Sequence, residues 1–230
     1  ASSSGNISLS STGAAGGVQN LYSSLTARQG QISLTANKGD VLNAGQGSAI
    51  MAGQDIVLAT ARGNVNNEAA ATTEVGKIAL TTGSGSVTNE GRLTIKNAST
   101  AANQGTVELR GTDFVENTGA IKAQGQVDLV AEQGYVLNQE AISTTKGGVN
   151  LNGINSVTNY GTIEAVDMVT LGSTNGAVLL SGGTFAATDV INAGSVTSAK
   201  GDISLIGSGE IINHRADLVA GASAEATNGS

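Results

Sequence analysis

Along the chain a short alternating unit recurs: a turn residue, then Ile or Val, then any residue, then Leu. It stands as Gly5-Asn6-Ile7-Ser8-Leu9, Gly30-Gln31-Ile32-Ser33-Leu34, Gly76-Lys77-Ile78-Ala79-Leu80 and Gly105-Thr106-Val107-Glu108-Leu109. It continues as Gly125-Gln126-Val127-Asp128-Leu129, Gly148-Val149-Asn150-Leu151 and Gly201-Asp202-Ile203-Ser204-Leu205, with looser copies ending at Leu58 and Leu171. Alternation with a period of two sends apolar side chains to one face and polar ones to the other, so each copy predicts a short strand with one face buried.

A second unit follows each copy after a short polar turn: an apolar residue, any residue, then Asn, often with Gly two positions later. Its Asn residues are Asn20, Asn43, Asn67, Asn89, Asn117, Asn138, Asn159, Asn192 and Asn213. Successive Asn positions are mostly 21 to 24 residues apart, with two longer intervals of 28 and 33. A third, weaker strand pattern comes next, as in Gly119-Ala120-Ile121-Lys122-Ala123, Ala141-Ile142-Ser143-Thr144, Gly161-Thr162-Ile163-Glu164-Ala165 and Gly194-Ser195-Val196-Thr197-Ser198.

Three short strands and three turns in one such interval make one coil of a solenoid. The predicted fold is all-β: a right-handed parallel β-helix, three-sided, with 21–24 residues per coil. Each strand is too short to stand alone and pairs with its equivalents in the coils above and below. Stacking in register brings each Asn over the next, where side-chain amides can bond along the column as a structural ladder. About nine coils at ~4.8 Å each give a rod roughly 43 Å long. The chain reads as one segment over residues 1–230, with turn insertions or an extra partial coil near 96–104 and 172–189. The first four residues and a small polar tail at 221–230 are expected to fray or cap weakly.

Composition narrows the alternatives. Five aromatics, no Trp, no Pro and no Cys are a poor inventory for a compact globular core, whereas 39% apolar with 13% charged residues is too apolar for a disordered chain. A leucine-rich horseshoe also has an Asn column, but its repeat needs a longer Leu run and usually a helix, and Gly, Ser and Thr interrupt every candidate helix here. The net charge of −7 arises from charges scattered singly with no basic run, which argues against nucleic acid as a partner. No stretch approaches the length of a membrane-spanning helix, and residues 1 to 30 lack a signal-peptide pattern.

The paired Gly-x-Ile/Val-x-Leu and Val-x-Asn-x-Gly units, phased over roughly residues 5 to 220, resemble the repeats of the filamentous haemagglutinin family. These are long exoproteins of two-partner secretion in Gram-negative bacteria, among them adhesins and contact-dependent growth-inhibition proteins. The resemblance implies export through an outer-membrane secretion pore and display of a thin fibre at the cell surface, reaching toward a host or target-cell receptor or glycan. Neither an amino-terminal secretion domain nor a carboxy-terminal toxin or maturation domain is recognisable, so the segment reads as an internal piece of a virulence-associated shaft. Direct adhesion through the longer turns is the alternative. Exposed strand edges at the ends of such a segment invite end-to-end self-association.

Parallel β-helices also include polysaccharide lyases and hydrolases, which need carboxylates converging on one face. Here Asp40, Asp128, Asp202, Glu108 and Glu164 are spread along the repeat and are expected mostly at outward strand positions. His214 is the sole histidine, so neither a zinc set nor a catalytic triad is singled out. No catalytic, metal or cofactor residue is assigned. Gly-Ser-Gly at 83 to 85 and 207 to 209 lacks the Lys-Ser/Thr of a phosphate loop and reads as a corner. Lys38-Gly39-Asp40 and Lys200-Gly201-Asp202 resemble receptor tripeptides, yet the repeat itself explains both. The pairs Thr72-Thr73, Thr81-Thr82 and Thr144-Thr145 do not recur in phase as an ice-binding face would.

Overall fold

The computed structural model describes residues 2–97 and 105–173, and beyond them the backbone of the strands Ala177–Leu179, Val190–Asn192, Val196–Ser198, Ile203–Gly207, Ile211–Asn213, Leu218–Ala220 and Ala224–Asn228. Every described element is a strand, and the strands form three ten-stranded sheets in which all pairings are parallel. The chain visits the sheets in rotation, so each strand's neighbours are its equivalents one coil earlier and one coil later. This is a three-sided parallel β-solenoid.

The Ile/Val-x-Leu units form one sheet, here the Leu sheet, with strands such as Ile32–Ala36, Ile78–Thr82, Val107–Gly111 and Val127–Ala131. The Asn units form the second, with Val41–Ala44, Val87–Asn89, Phe114–Asn117 and Tyr135–Asn138. The third sheet carries Ser24–Ala27, Ala49–Ala52, Leu93–Ile95, Ile121–Ala123 and Ile142–Thr144.

Register stacks like on like. Leu34, Leu58, Leu80, Leu109, Leu129, Leu151 and Leu171 form one inward column, and each is fully buried. Ile32 to Val169 form a second beside it, Val41 to Val157 line the Asn sheet, and Ile50, Ala71, Leu93, Ile121, Ile142 and Ile163 line the third. The core is therefore a narrow stack of aliphatic side chains. Because each coil buries only a handful of them, at about 1.5–3 kcal/mol per large side chain, no coil is stable without its neighbours.

The two long intervals have different origins. In the first, the register holds on both sides, Leu93 opposite Ile121 and Ile78 opposite Val107, so the extra residues lie in the corner between Ile95 and Val107. Residues 98–104 of that predicted insertion are outside the described residues. In the second, the strand Ala177–Leu179 enters the Asn sheet between Ser156–Asn159 and Val190–Asn192. The other two sheets pass directly from Ile163 to Val196 and from Val169 to Ile203. This is a partial coil, while 174–176 and 180–189 lie outside the described residues.

Two terminal expectations change. Residues Ala224–Asn228 of the polar tail form the last strand of the Leu sheet, with Ala224 opposite Ile203, and Ser2–Ser3 pair with Thr26–Ala27. Backbone pairing to a preformed edge does not require the apolar alternation, so Ala-Glu-Ala-Thr-Asn can extend a sheet that it could not nucleate.

Candidate functional site

The most organised polar feature is inside the rod. Asn20 donates from Nδ2 to Asn43 Oδ1 at 2.7 Å, Asn43 to Asn67 at 2.7 Å, Asn67 to Asn89 at 2.7 Å and Asn89 to Asn117 at 2.7 Å. Asn117 donates to Asn138 at 2.7 Å and Asn138 to Asn159 at 2.6 Å. Asn20 is 3% exposed and the other six are fully buried, so these amides have no water to fall back on. The second N–H of Asn89, Asn138 and Asn159 turns to the carbonyl two residues on, at Gly91, Glu140 and Gly161. The ladder thus joins coil to coil and strand to corner. Asn192 and Asn213 are paired in backbone register, and the strand Ala177–Leu179 lies between them and the strand of Asn159; their side chains lie outside the described residues.

The Gly two residues after the Asn also has a physical reason. A Cβ on Gly91 would run into the Ala69 carbonyl, one on Gly119 into the Gly91 carbonyl, and one on Gly161 into the Glu140 carbonyl. Successive corners approach too closely there for any side chain. Gly119→Ala is expected to cost on the order of 1–3 kcal/mol in denaturant unfolding. A change within a few tenths of wild type would show that the corners separate freely.

Two further polar roles were not legible in the repeat. Asx side chains just before strands hold the next coil's backbone: Asp40 Oδ1 accepts from Asn64 N at 2.7 Å, Asp55 Oδ1 from Lys77 N at 2.9 Å and Asn64 Oδ1 from Ser86 N at 3.0 Å. Asp40 is therefore a corner brace that precedes its strand, and not an outward mid-strand acid. Its neighbour Gly39 adopts φ 94° and donates to Arg62 O at 2.7 Å, which ties the Lys38-Gly39-Asp40 tripeptide into the stack. Inward Thr residues end several strands: Thr60 Oγ1 donates to Gly39 O at 2.9 Å, Thr82 to Gly63 O at 2.7 Å, Thr73 to Gln54 O and Thr144 to Gly147 O. Thr73, Thr82 and Thr144 thus point into the rod and contribute nothing to a surface face.

On the outside, Glu108, Asp128 and Glu164 do occupy outward strand positions, in three different coils. Asp202, His214, Lys200, Gly201, Ser208 and Gly209 lie outside the described residues. Gly83-Ser84-Gly85 is a corner, with Gly85 at φ 132° and its carbonyl accepting from Thr112 and Asp113 N–H. Among the described residues no three His, Cys, Asp or Glu side chains gather as a metal site, and no helix is long and apolar enough to cross a membrane. Shallow grooves occur on the outer faces, one of about 390 Å³ beside Gln126, Asp128, Asn150, Asp167 and Met168.

Arg110 bonds Glu108 at 3.0 Å and Glu132 at 3.4 Å, and the Glu108 carboxylate in particular holds its guanidinium above the ordinary value. As a half-exposed group it contributes about 1 kcal/mol at most. Tyr135 stacks on Phe114 from the adjacent coil with ring centroids 5.2 Å apart, and its hydroxyl donates to Glu116 at 2.5 Å. Burial, and then that hydrogen bond, push the phenol up to about 12. A raised phenol favours the neutral form in the folded state, so its contribution is fully present below the ordinary value near 10 and is lost as pH rises through about 12. The stability advantage of wild type over Tyr135→Phe should therefore shrink across that window. A constant gap between the two in urea unfolding would contradict this.

Among known proteins, no family model, no curated protein and no solved structure matches this chain.

Proposed function

We propose that this chain is a segment of the shaft of a secreted filamentous surface protein, holding a distal adhesive or toxic module away from a Gram-negative cell. The observation that carries this reading is the buried ladder from Asn20 to Asn159, which runs through consecutive coils without a break. Such a column supplies stiffness and length in increments of one coil, the properties a spacer needs. The paired repeat units that resemble filamentous haemagglutinin add the direction of export, through an outer-membrane pore and onto the surface. A chain without Cys is suited to threading such a pore unfolded, since no disulfide can form beforehand.

The test removes one coil in register from the full-length parent protein, residues 118–138, which brings Asn117 against Asn159. A spacer tolerates the loss: the fibre shortens, antiserum to this segment still labels intact cells, and distal binding or killing persists. Loss of that activity with normal surface display would contradict the spacer role.

A second reading, direct adhesion, is favoured by the long corner between Ile95 and Val107, since binding residues concentrate on such loops. Deleting 98–104 without loss of cell binding would remove it.

A further inference from the structure

The outer face of the third sheet runs along the flank of the rod, where further coils at either end leave it uncovered. Seven consecutive strands build it in unbroken register, from Ser24–Ala27 through Leu93–Ile95 in the middle to Ile163–Ala165. Met51, Lys122 and Glu164 point outward from their strands and are exposed. Arg28 and Glu74 stand just past the ends of theirs and border a shallow groove with Met51 on the same side. Arg28, Arg92, Lys122 and Glu164 have no side-chain hydrogen bond or ion pair among the described residues. On the Leu sheet, by contrast, Glu108, Arg110 and Glu132 satisfy one another.

The order of the charges selects the occupant. Counted from Ser24–Ala27, the first strand carries Arg28, the third Glu74, the fifth Lys122 and the seventh Glu164, so the signs alternate about the central strand Leu93–Ile95. A copy of the face turned end for end sets the first strand against the seventh and the third against the fifth, and each of these four charges then meets its opposite. A copy in the same direction and at the same level sets each charge against itself. Arg28 and Glu74 lie two positions farther along their strands than Lys122 and Glu164, an offset of about 6.6 Å that long side chains span. Shape follows the same reversal. Met51, 45% exposed on the second strand, falls opposite the sixth, where Ala141 and Ser143 line a groove of about 380 Å³. Arg92, beside the central strand, meets its own copy, and the exposed Glu90 two residues before it supplies each with a carboxylate.

The geometry points to a second copy of this chain lying antiparallel against the outer face of the third sheet, related to the first by a twofold axis through Leu93–Ile95. The contact is isologous, so it closes at a dimer. Seven strands about 4.8 Å apart and roughly five residues wide cover about 550 Å² on each copy, roughly 1,100 Å² in all, the low end for a specific interface. The dimer is therefore reversible, and its exposed ion pairs make it sensitive to salt. It does not rest on the shaft reading, which monomeric behaviour would leave intact. Within a shaft, antiparallel pairing joins fibres that come from facing cells.

Sedimentation equilibrium of the 230-residue chain, with cross-linking of single-cysteine variants, tests it. The chain is expected to dimerise at high concentration in low salt and to return to monomer at about 1 M salt. Arg28→Glu places like charges at two points, because the twofold axis repeats the contact, and should weaken dimerisation by roughly tenfold or more. Adding Glu164→Lys exchanges the pair and should restore the dimer. Both side chains are exposed, so each variant should keep the circular dichroism of wild type. Thr94→Cys, on the axis, should join to its own copy through a short bismaleimide, whereas Thr170→Cys, on the outer side of the Leu sheet, should not. Monomer at every concentration in low salt, a charge exchange that dimerises no better than Arg28→Glu alone, or equal cross-linking at 94 and 170 would each overturn the proposal.

Discussion

Asn89→Leu is expected to lower the stability of the rod by roughly 2–5 kcal/mol, although Leu is close to Asn in size and more apolar. The loss comes from what the substitution strands. Asn67 Nδ2 loses its acceptor, Asn117 Oδ1 loses its donor, and the Gly91 carbonyl loses the second amide N–H. All three sit in a fully buried stretch of column, so none can turn to water. The same change at Asn20, where the column ends and Ser23 already caps the acceptor, should cost about half as much. Equal midpoints for wild type and Asn89→Leu in denaturant would mean that the column contributes nothing beyond its volume.

Leu109→Ala should produce a loss of the same order, about 2–5 kcal/mol, by a different route. Leu109 is fully buried between Leu80 and Leu129 in the Leu column. Truncation leaves a void that neighbours can fill only by breaking register, which the flanking backbone pairing opposes. In a stacked repeat the defect also weakens the interface between two coils, so cooperativity between the halves of the rod suffers. Unfolding followed at Tyr22 and at Tyr160, on either side of the defect, should coincide in wild type and separate in the variant. Coincident curves with an unchanged midpoint would contradict this account of the core.

The three sheets were legible in the sequence because alternation reports which face is buried, and the recurring Asn fixes the phase of each coil. From Ile32 to Leu171 those two signals place nearly every inward residue. The partial coil near 172–189 was legible from the long Asn interval, but its strand Ala177–Leu179 was not located, because it carries no Asn to fix its phase. Ala224–Asn228 escaped because it borrows its order from the edge it pairs with. Asp40 was misplaced, and Thr73 was given no role, for a common reason. A polar residue beside a corner reads as surface until the adjoining coil supplies the backbone group it bonds, and that partner lies about one coil away in sequence.

Side-chain amide hydrogen exchange of the Asn residues tests the central claim most directly. In a parallel solenoid with a buried ladder, the Nδ2 protons of Asn43, Asn67, Asn89, Asn117 and Asn138 should persist in heavy water long after those of the exposed Asn37 and Asn152 have exchanged. Exchange of all of them at the same rate would contradict the ladder and the in-register stacking that creates it.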